Sequence, residues 1–170
     1  MRLLTVLLLS AASVTASAQE WQEIESEACG VTFELPGQAS VATDTTALRN
    51  GLTVVTHEYA VTVDRDFHNL TCTDFPAGFI ASVGVEAFLD GGVERSTVGR
   101  EVVRSEVASL DGHPGRRYTT RIAIGEGELL NHSAAFVVGD RVYQLAVAAF
   151  DSSEDHVARF FDSLRLTQER

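Results

Sequence analysis

Residues 129–149 read LLNHSAAFVVGDRVYQLAVAA and indicate the type of fold more clearly than any other part of the chain. Two segments rich in apolar residues, 129–138 and 141–149, are separated by the dipeptide Gly139-Asp140. A two-residue loop of this type has the backbone twist that joins neighbouring antiparallel strands. The stretch therefore predicts a β-hairpin, and it is the strongest hairpin signal in the chain.

Three extended segments precede this hairpin near the start of the chain. In segment 21–35, Val31 and Phe33 alternate with polar residues, a period typical of a half-buried strand. Segment 52–63 and the stretch that follows the polar turn 64–66 show the same alternation. We expect all three segments to be strands.

A second hairpin is predicted in the middle of the chain. Segments 102–110 and 116–124 both alternate between apolar and polar residues. The dipeptide Pro114-Gly115 between them is typical of a type II turn, because proline fixes a negative φ and glycine accepts a positive one. We therefore expect the hairpin to turn at this dipeptide.

Two segments change to helical periodicity. Segment 82–97 has apolar residues at helical spacing, with Ser82 as its expected N-cap. Near the C-terminus, Val157, Phe160 and Phe161 also follow helical spacing. Because the strands form antiparallel hairpins with few helices between them, the sequence predicts an α+β domain, an antiparallel sheet of about six strands flanked by two helices.

The N-terminal segment has the features of a secretory signal peptide. Arg2 gives a positive start, an apolar run follows, and segment 16–18 (ASA) is a small-residue cleavage site. The apolar run is too short to span a bilayer, which needs about 20 apolar residues. We expect residues 1–18 to be removed and residues 19–170 to form a single domain, periplasmic or secreted.

The charge balance excludes some classes of partner. The chain carries 13 basic residues, all of them arginine, against 24 acidic residues, for a net charge of −11. Nucleic acids and anionic lipid surfaces are bound through clustered cations, so the composition argues against both. The lack of lysine excludes Schiff-base chemistry on a lysine side chain. No motif in the sequence indicates a cofactor.

Cys29 and Cys72 are the two cysteines of the chain. An even number of cysteines in an exported protein favours a disulfide, because the compartments outside the cytosol are oxidising. We predict that the two residues pair. The alternative is a free nucleophilic thiol, which needs a nearby base and a lowered pKa.

Several short stretches carry a resemblance to a known group of proteins. They are residues 30–37 (GVTFELPG), 110–116 (LDGHPGR), 141–145 (RVYQL) and 160–166 (FFDSLRL). Together they resemble short secreted bacterial proteins with the outline of the PsbP-like superfamily. The resemblance implies an antiparallel α/β/α sandwich and an accessory, assembly or binding role, and it implies no catalytic residue.

One turn carries a candidate group of metal ligands. Asp64, Asp66 and His68 would supply oxygen and nitrogen atoms to a divalent cation. His57 could meet His68 across the same hairpin. The strong zinc signatures, which have three or four closely spaced ligands, are absent from the sequence. The simpler interpretation is that each histidine is hydrogen-bonded on a half-buried strand.

The sequence predicts a binding role more readily than a reaction. It has no Gly-x-Ser-x-Gly elbow or other catalytic signature, so we predict no catalytic residue, although an enzyme stays open. The leading hypothesis is an exported, disulfide-stabilised accessory or binding protein of the cell envelope, whose partner is an envelope protein or polymer. The alternative is a small-ligand carrier or an enzyme with a site between sheet and helices, where His57, Tyr59 and Tyr143 would line the pocket.

Overall fold

The computed structural model describes residues 20–48, 51–125, 127–150 and 154–167. The predicted signal peptide lies outside these ranges. Within them the chain forms ten strands and three helices. The strands are β1 (Gln22–Ser26), β2 (Val31–Leu35), β3 (Ser40–Ala47), β4 (Thr53–Val63), β5 (Asp66–Asp74), β6 (Glu101–Leu110), β7 (His113–Ile124), β8 (Gly127–Val138), β9 (Arg141–Ala149) and β10 (Arg165–Leu166). The helices are α1 (Phe79–Val83), α2 (Val85–Thr97) and α3 (Glu154–Ser163).

Seven strands of the described chain form one antiparallel sheet in the order β3-β4-β5-β9-β8-β7-β6. Strands β1, β2 and β10 form a second, three-stranded antiparallel sheet. The predicted α+β class with an antiparallel sheet is confirmed, but the expected size of about six strands is wrong. The sequence did not reveal β3, an edge strand whose residues are all exposed. Such a strand lacks the apolar alternation that marks a half-buried one.

Helices lie on both faces of the seven-stranded sheet. Helices α1 and α2 cover one face, the α2 face, through an apolar cluster that includes Ile80, Leu89 and Val137. Helix α3 and the three-stranded sheet cover the opposite face, the α3 face, where the main core includes Phe33 and Phe160. Among the described residues, no helix has both the length and the apolar character that crossing a membrane requires.

Two adjacent arginines on β7 connect the sheet to both helical layers. Successive side chains of a strand point to opposite faces. Arg116 forms ion pairs with Glu86 and Asp90 of α2, whereas Arg117 reaches Asp162 of α3 at 3.0 Å. Exposed pairs of this kind contribute about 0 to 1 kcal/mol each. These ion pairs therefore help to orient the helices but add little to the free energy of unfolding.

The helix predicted for residues 82–97 is divided into two. Gly84, with a φ of 89°, separates α1 from α2, and glycine adopts this positive φ without steric cost. The prediction that Ser82 caps the helix is wrong, because Ser82 lies inside α1 and its hydroxyl donates to the Phe79 carbonyl at 2.7 Å. The segment predicted to be extended over residues 21–35 is likewise divided by a turn into β1 and β2.

The turn predicted at Pro114-Gly115 lies earlier in the chain. Asp111 and Gly112, with φ values of 49° and 86°, connect β6 to β7. An Asp-Gly pair is a favoured two-residue hairpin turn, so the chain turns at this pair and not at Pro114-Gly115. Gly115 instead lies within β7 opposite Phe136, where an added β-carbon would be 2.4 Å from the phenylalanine ring. Close packing, not turn geometry, requires this glycine.

The predicted disulfide between Cys29 and Cys72 is present, with a Cα–Cα distance of 5.8 Å. It joins residues 43 positions apart, and the chain-entropy estimate for such a loop is about 4 kcal/mol. The Cys29 carbonyl accepts hydrogen bonds from the Tyr143 hydroxyl at 2.7 Å and from the Arg141 guanidinium at 2.6 Å. Arg141 also binds Asp74 through two hydrogen bonds, which raise the pKa of the guanidinium. This cluster anchors the β1–β2 layer to the large sheet.

Candidate functional site

The three residues predicted to line a ligand pocket are engaged in contacts within the fold. The His57 Nδ1 atom is 2.9 Å from the Thr43 hydroxyl, and the Tyr59 hydroxyl is 2.7 Å from the Ser26 hydroxyl. Tyr143 is buried, and its hydroxyl donates to a backbone carbonyl beside the disulfide. The cavities described below are lined by other residues.

The structure does not bring the predicted metal ligands together. Asp64 lies in the exposed β4–β5 turn, whereas His68 lies on the buried side of β5. The register of the hairpin places His57 opposite Cys72 and not opposite His68. In the described ranges, no group of three histidine, cysteine or acidic side chains is placed to hold a metal ion.

His68 is instead a core residue. Its side chain is 2% exposed, and its ring lies 6.3 Å from the Trp21 ring and 5.7 Å from the Phe160 ring, centroid to centroid. Burial lowers the pKa of the His68 imidazole, while the Asp66 carboxylate acts in the opposite direction. The neutral imidazole packs with these aromatic rings beneath β1 and α3.

A cavity that combines apolar and charged groups lies between α3 and the β6–β8 part of the sheet. Its volume is about 360 Å³, and ligand pockets typically measure about 300 to 1,000 Å³. Apolar side chains form part of its wall, and arginines and a histidine supply polar groups. Its main contributors are Val103, Leu130, Val157, Phe161, Arg104, Arg117, Arg121 and His132. We call this site the α3 cavity.

The arginines of the α3 cavity differ in how firmly they are held. Arg117 donates to Asp162 at 3.0 Å and lies over the Phe161 ring. Arg121 contacts the carboxylates of Glu101 at 3.7 Å and Glu128 at 3.4 Å. Both distances exceed the roughly 2.7 to 2.9 Å of a strong charge-assisted hydrogen bond. Of these two guanidinium groups, that of Arg121 is the more easily redirected to an acceptor on a ligand.

His132 is the titratable ring of the α3 cavity. It lies opposite Thr119 in the β7–β8 register, and its Nδ1 atom is 3.1 Å from the Thr119 hydroxyl. Burial lowers the pKa of the His132 imidazole, whereas the Glu154 carboxylate at the start of α3 acts in the opposite direction. The ring is therefore neutral near pH 7 and offers its nitrogens for hydrogen bonding.

The α3 cavity has groups for binding but not a complete set for nucleophilic catalysis. A hydroxyl nucleophile needs a base that a third group orients. Within the part of the chain that the structure describes, no carboxylate hydrogen-bonds the His132 ring. Thr43 and His57 make the same cross-strand contact elsewhere in the sheet, so the Thr119–His132 contact is a strand-pairing feature. The arrangement suits a ligand with an apolar body and hydrogen-bond acceptors.

Sequence reasoning missed the residues of this site because periodicity does not show which helix covers which face of the sheet. The alternation in segment 116–124 predicted a strand but assigned no face to its polar residues. The alternate residues Arg117 and Arg121, which a one-sided sheet would expose to solvent, face α3 and line the cavity. The signal in the sequence that could have revealed the site is the alternation of the polar residues Arg117, Thr119 and Arg121.

A second cavity lies between α2 and the sheet. Its volume is about 330 Å³, and its walls include Phe75, Phe88, Leu89 and Val142. Gly92 borders this α2 cavity, and a β-carbon at that position would have no heavy atom within 4 Å. The wall carries fewer charged groups than the α3 cavity, so it offers less to fix the orientation of a ligand.

Comparison with solved structures relates this architecture to a known fold. The solution structure of cyanobacterial PsbP (CyanoP) from Synechocystis sp. PCC 6803 is 16% identical to this chain, and the TM-score is 0.50. The match covers 94% of this chain and 98% of that one. The chain has a PsbP-like outline. At this level of identity the likeness shows the fold alone.

Two further structures are more distant. One is PA94 from Pseudomonas aeruginosa, a protein of unknown function and putative regulator, with 6% identity, a TM-score of 0.39, and coverage of 81% of this chain and 85% of that one. The other is the type VI secretion immunity protein TplEi from Pseudomonas aeruginosa in complex with an "L" peptide, with 11% identity, a TM-score of 0.44, and coverage of 69% and 50%. No protein-family model and no curated protein matches the chain.

Proposed function

We propose that the chain is an exported, disulfide-stabilised accessory or binding protein of the cell envelope, that it is not an enzyme, and that it holds its partner at the α3 cavity. The observation that carries the proposal is the combination, in one cavity, of an apolar wall with a loosely paired Arg121 and a neutral His132. These groups fit a segment of an envelope protein or polymer that carries an apolar group beside carboxylate or carbonyl oxygens.

Export is supported by two independent features. Residues 1–18 have the pattern of a signal peptide, and the Cys29–Cys72 disulfide suits an oxidising compartment. The acidic net charge makes a nucleic-acid partner unfavourable. These features support a protein or a polymer of the envelope as the partner.

The test fills the cavity without disturbing the core. Ala158 is exposed on α3 and lines the α3 cavity, so Ala158→Trp should block it. Ala87 is exposed on α2 and does not line that cavity, so Ala87→Trp is the matched control. The measurement is quantitative mass spectrometry of material cross-linked to each exported variant in its own cell envelope. We expect the same partner with the wild type and Ala87→Trp, and its loss with Ala158→Trp.

The outcomes separate the parts of the proposal. Equal recovery with both tryptophan variants would show that the partner binds elsewhere on the protein. No partner above background with the wild type would overturn the binding role itself.

A small-ligand carrier is the second candidate, and the cavity volume of about 360 Å³ favours it. In that case the protein isolated from its own envelope would carry a non-covalent ligand, visible by native mass spectrometry. The added mass should be present with Ala87→Trp and absent with Ala158→Trp. A wild-type mass equal to that of the bare chain would count against this candidate.

A further inference from the structure

Strand β6 is an exposed edge of the large sheet. Among the described residues it pairs with β7 on one side and with no strand on the other. Its first seven residues are all exposed, and Val102, Val103 and Val107 are 47%, 46% and 78% exposed. Soluble proteins commonly blunt such an edge with charged side chains, lysine above all, with proline, with a β-bulge or with a covering segment, and β6 has charged residues and a bulge between Val102 and Arg104. Strand β6 has neither lysine nor proline.

Two opposite charges flank Ser105 in β6. Arg104 and Glu106 flank it, lie on the same face of the strand, and form an exposed ion pair at 2.8 Å. If two copies of β6 pair antiparallel with a twofold axis at Ser105, each Arg104 lies directly opposite Glu106 of the second copy. Opposite charges in that position stabilise a strand pair, and like charges destabilise it.

Neighbouring registers lack this match. A twofold axis at Arg104 would place two guanidinium groups opposite each other, and an axis at Glu106 would oppose two carboxylates. A symmetric antiparallel pair needs its axis at a residue, so the charges select the register centred on Ser105 over these two alternatives.

The exposed valines fit the same register. The pairing of β6 with β7 shifts between Val102 and Arg104, so Val102 and Val103 together take one position in the alternation of the strand. In the register centred on Ser105, this bulge lies opposite Val107 of the second copy. The pairing therefore covers the most exposed apolar side chains of the strand.

We infer that the protein forms a symmetric homodimer in which β6 pairs with β6 of a second copy, centred on Ser105. The interface is isologous, because the same patch serves both subunits. A twofold axis perpendicular to the sheet keeps each face on its own side, so the two sheets become continuous. Both α3 cavities then open on one face, on either side of the axis, which would allow bivalent binding. Arg104 and Glu106 also line the α3 cavity, but the pairing itself needs no ligand in that cavity.

Charge reversal tests the inference, with sedimentation velocity of the exported protein over a concentration series. The wild type should show a reversible monomer–dimer equilibrium. Glu106→Arg and Arg104→Glu each place four like charges around the axis, so each should raise the dimer Kd by about tenfold or more. The double variant Arg104→Glu/Glu106→Arg restores the alternation of charge and should restore the dimer.

Mixing the two single variants provides a second, independent arm. One carries only positive charge at these positions and the other only negative, so the mixture should form a heterodimer. Asp44→Arg on the opposite edge strand, β3, is the matched control and should leave the dimer unchanged. Near-ultraviolet circular dichroism confirms that each variant is folded.

Three results would overturn the inference. They are a wild type that sediments as a monomer at every concentration, a folded double variant that stays monomeric, and an effect of Asp44→Arg equal to that of the β6 variants.

Discussion

Replacing Gly115 with alanine should destabilise the fold through steric overlap alone. An ideal β-carbon at this buried position lies 2.4 Å from Cδ1 and 2.9 Å from Cε1 of Phe136, and 2.6 Å from the Ala135 carbonyl oxygen. Optimal carbon contacts are about 3.5 to 4.0 Å. The φ of Gly115 is not in the left-handed region, so the substitution adds no backbone strain. The ring or the β7–β8 pairing must move.

The magnitude follows from overpacking in a rigid core. Phe136 is 2% exposed, and one of the colliding atoms belongs to the backbone, so the neighbours yield little. Inserting a methyl group into such a site costs about 1 to 3 kcal/mol. For a chain of this size, each kcal/mol corresponds to a fall of about 2 to 4 °C in Tm. The free energy of unfolding is best measured by urea titration, with thermal unfolding as a second measurement.

Gly92→Ala is a control that should raise the free energy of unfolding, whereas Gly115→Ala should lower it. Gly92 lies inside α2, and a β-carbon there meets no heavy atom within 4 Å. Alanine should therefore stabilise the helix by about 0.5 to 1 kcal/mol. Combining Gly115→Ala with Phe136→Leu should show a favourable coupling energy, because the smaller side chain removes the ring contacts. The reasoning is wrong if Gly115→Ala unfolds within about 0.5 kcal/mol of the wild type, the usual range of a surface substitution.

Two further predictions concern pH and redox state. Burial against Trp21 and Phe160 lowers the folded pKa of His68, so the unfolded state binds its proton first. The neutral His68 ring therefore contributes to the free energy of unfolding. This contribution is fully present above the unfolded pKa of about 6.5 and is lost as the pH falls toward the folded pKa. Urea titrations at about pH 7.5 and pH 5 should show a smaller acid-induced loss for His68→Phe, and an equal loss would contradict this. Replacing Cys29 and Cys72 with alanine should lower the free energy of unfolding by about 2 to 4 kcal/mol. Adding a reductant to this variant should have no further effect. A variant as stable as the oxidised wild type would refute the estimate.

Local pattern predicted most of the sheet because most of its pairings are local. Five of the six strand pairings in the large sheet of the described chain join consecutive strands, and a hairpin of this kind is set by alternation and turn residues. The turn between β6 and β7 was predicted at Pro114-Gly115, and not at Asp111-Gly112, because proline and glycine together carry a competing turn signal. Strand β3 was missed because an exposed edge strand buries no side chain that could produce a pattern.

The candidate site was beyond sequence reasoning for a different reason. The α3 cavity needs residues from β6, β7, β8 and α3, which lie far apart in the chain, between Val103 and Phe161. Periodicity shows that His132 and Arg121 lie on strands, but it does not show which helix covers which face. The predicted pocket residues His57, Tyr59 and Tyr143 share the α3 face, yet Tyr59 and Tyr143 contact the β1–β2 layer there and His57 contacts Thr43 of β3.

In the large sheet of the described chain, the one pairing that no hairpin supplies is between β5 and β9, and several polar and covalent links lie beside it. Cys72 lies opposite Tyr143, and Asp74 opposite Arg141, in that register. The disulfide, the bidentate ion pair and two hydrogen bonds to the Cys29 carbonyl all meet at this junction. The disulfide joins the β1–β2 turn to β5, and the Cys29 carbonyl joins the same turn to β9 through hydrogen bonds, so this turn bridges the two strands. Loss of the disulfide should therefore loosen the β1–β2 turn over the β5–β9 junction before it weakens a hairpin of the large sheet.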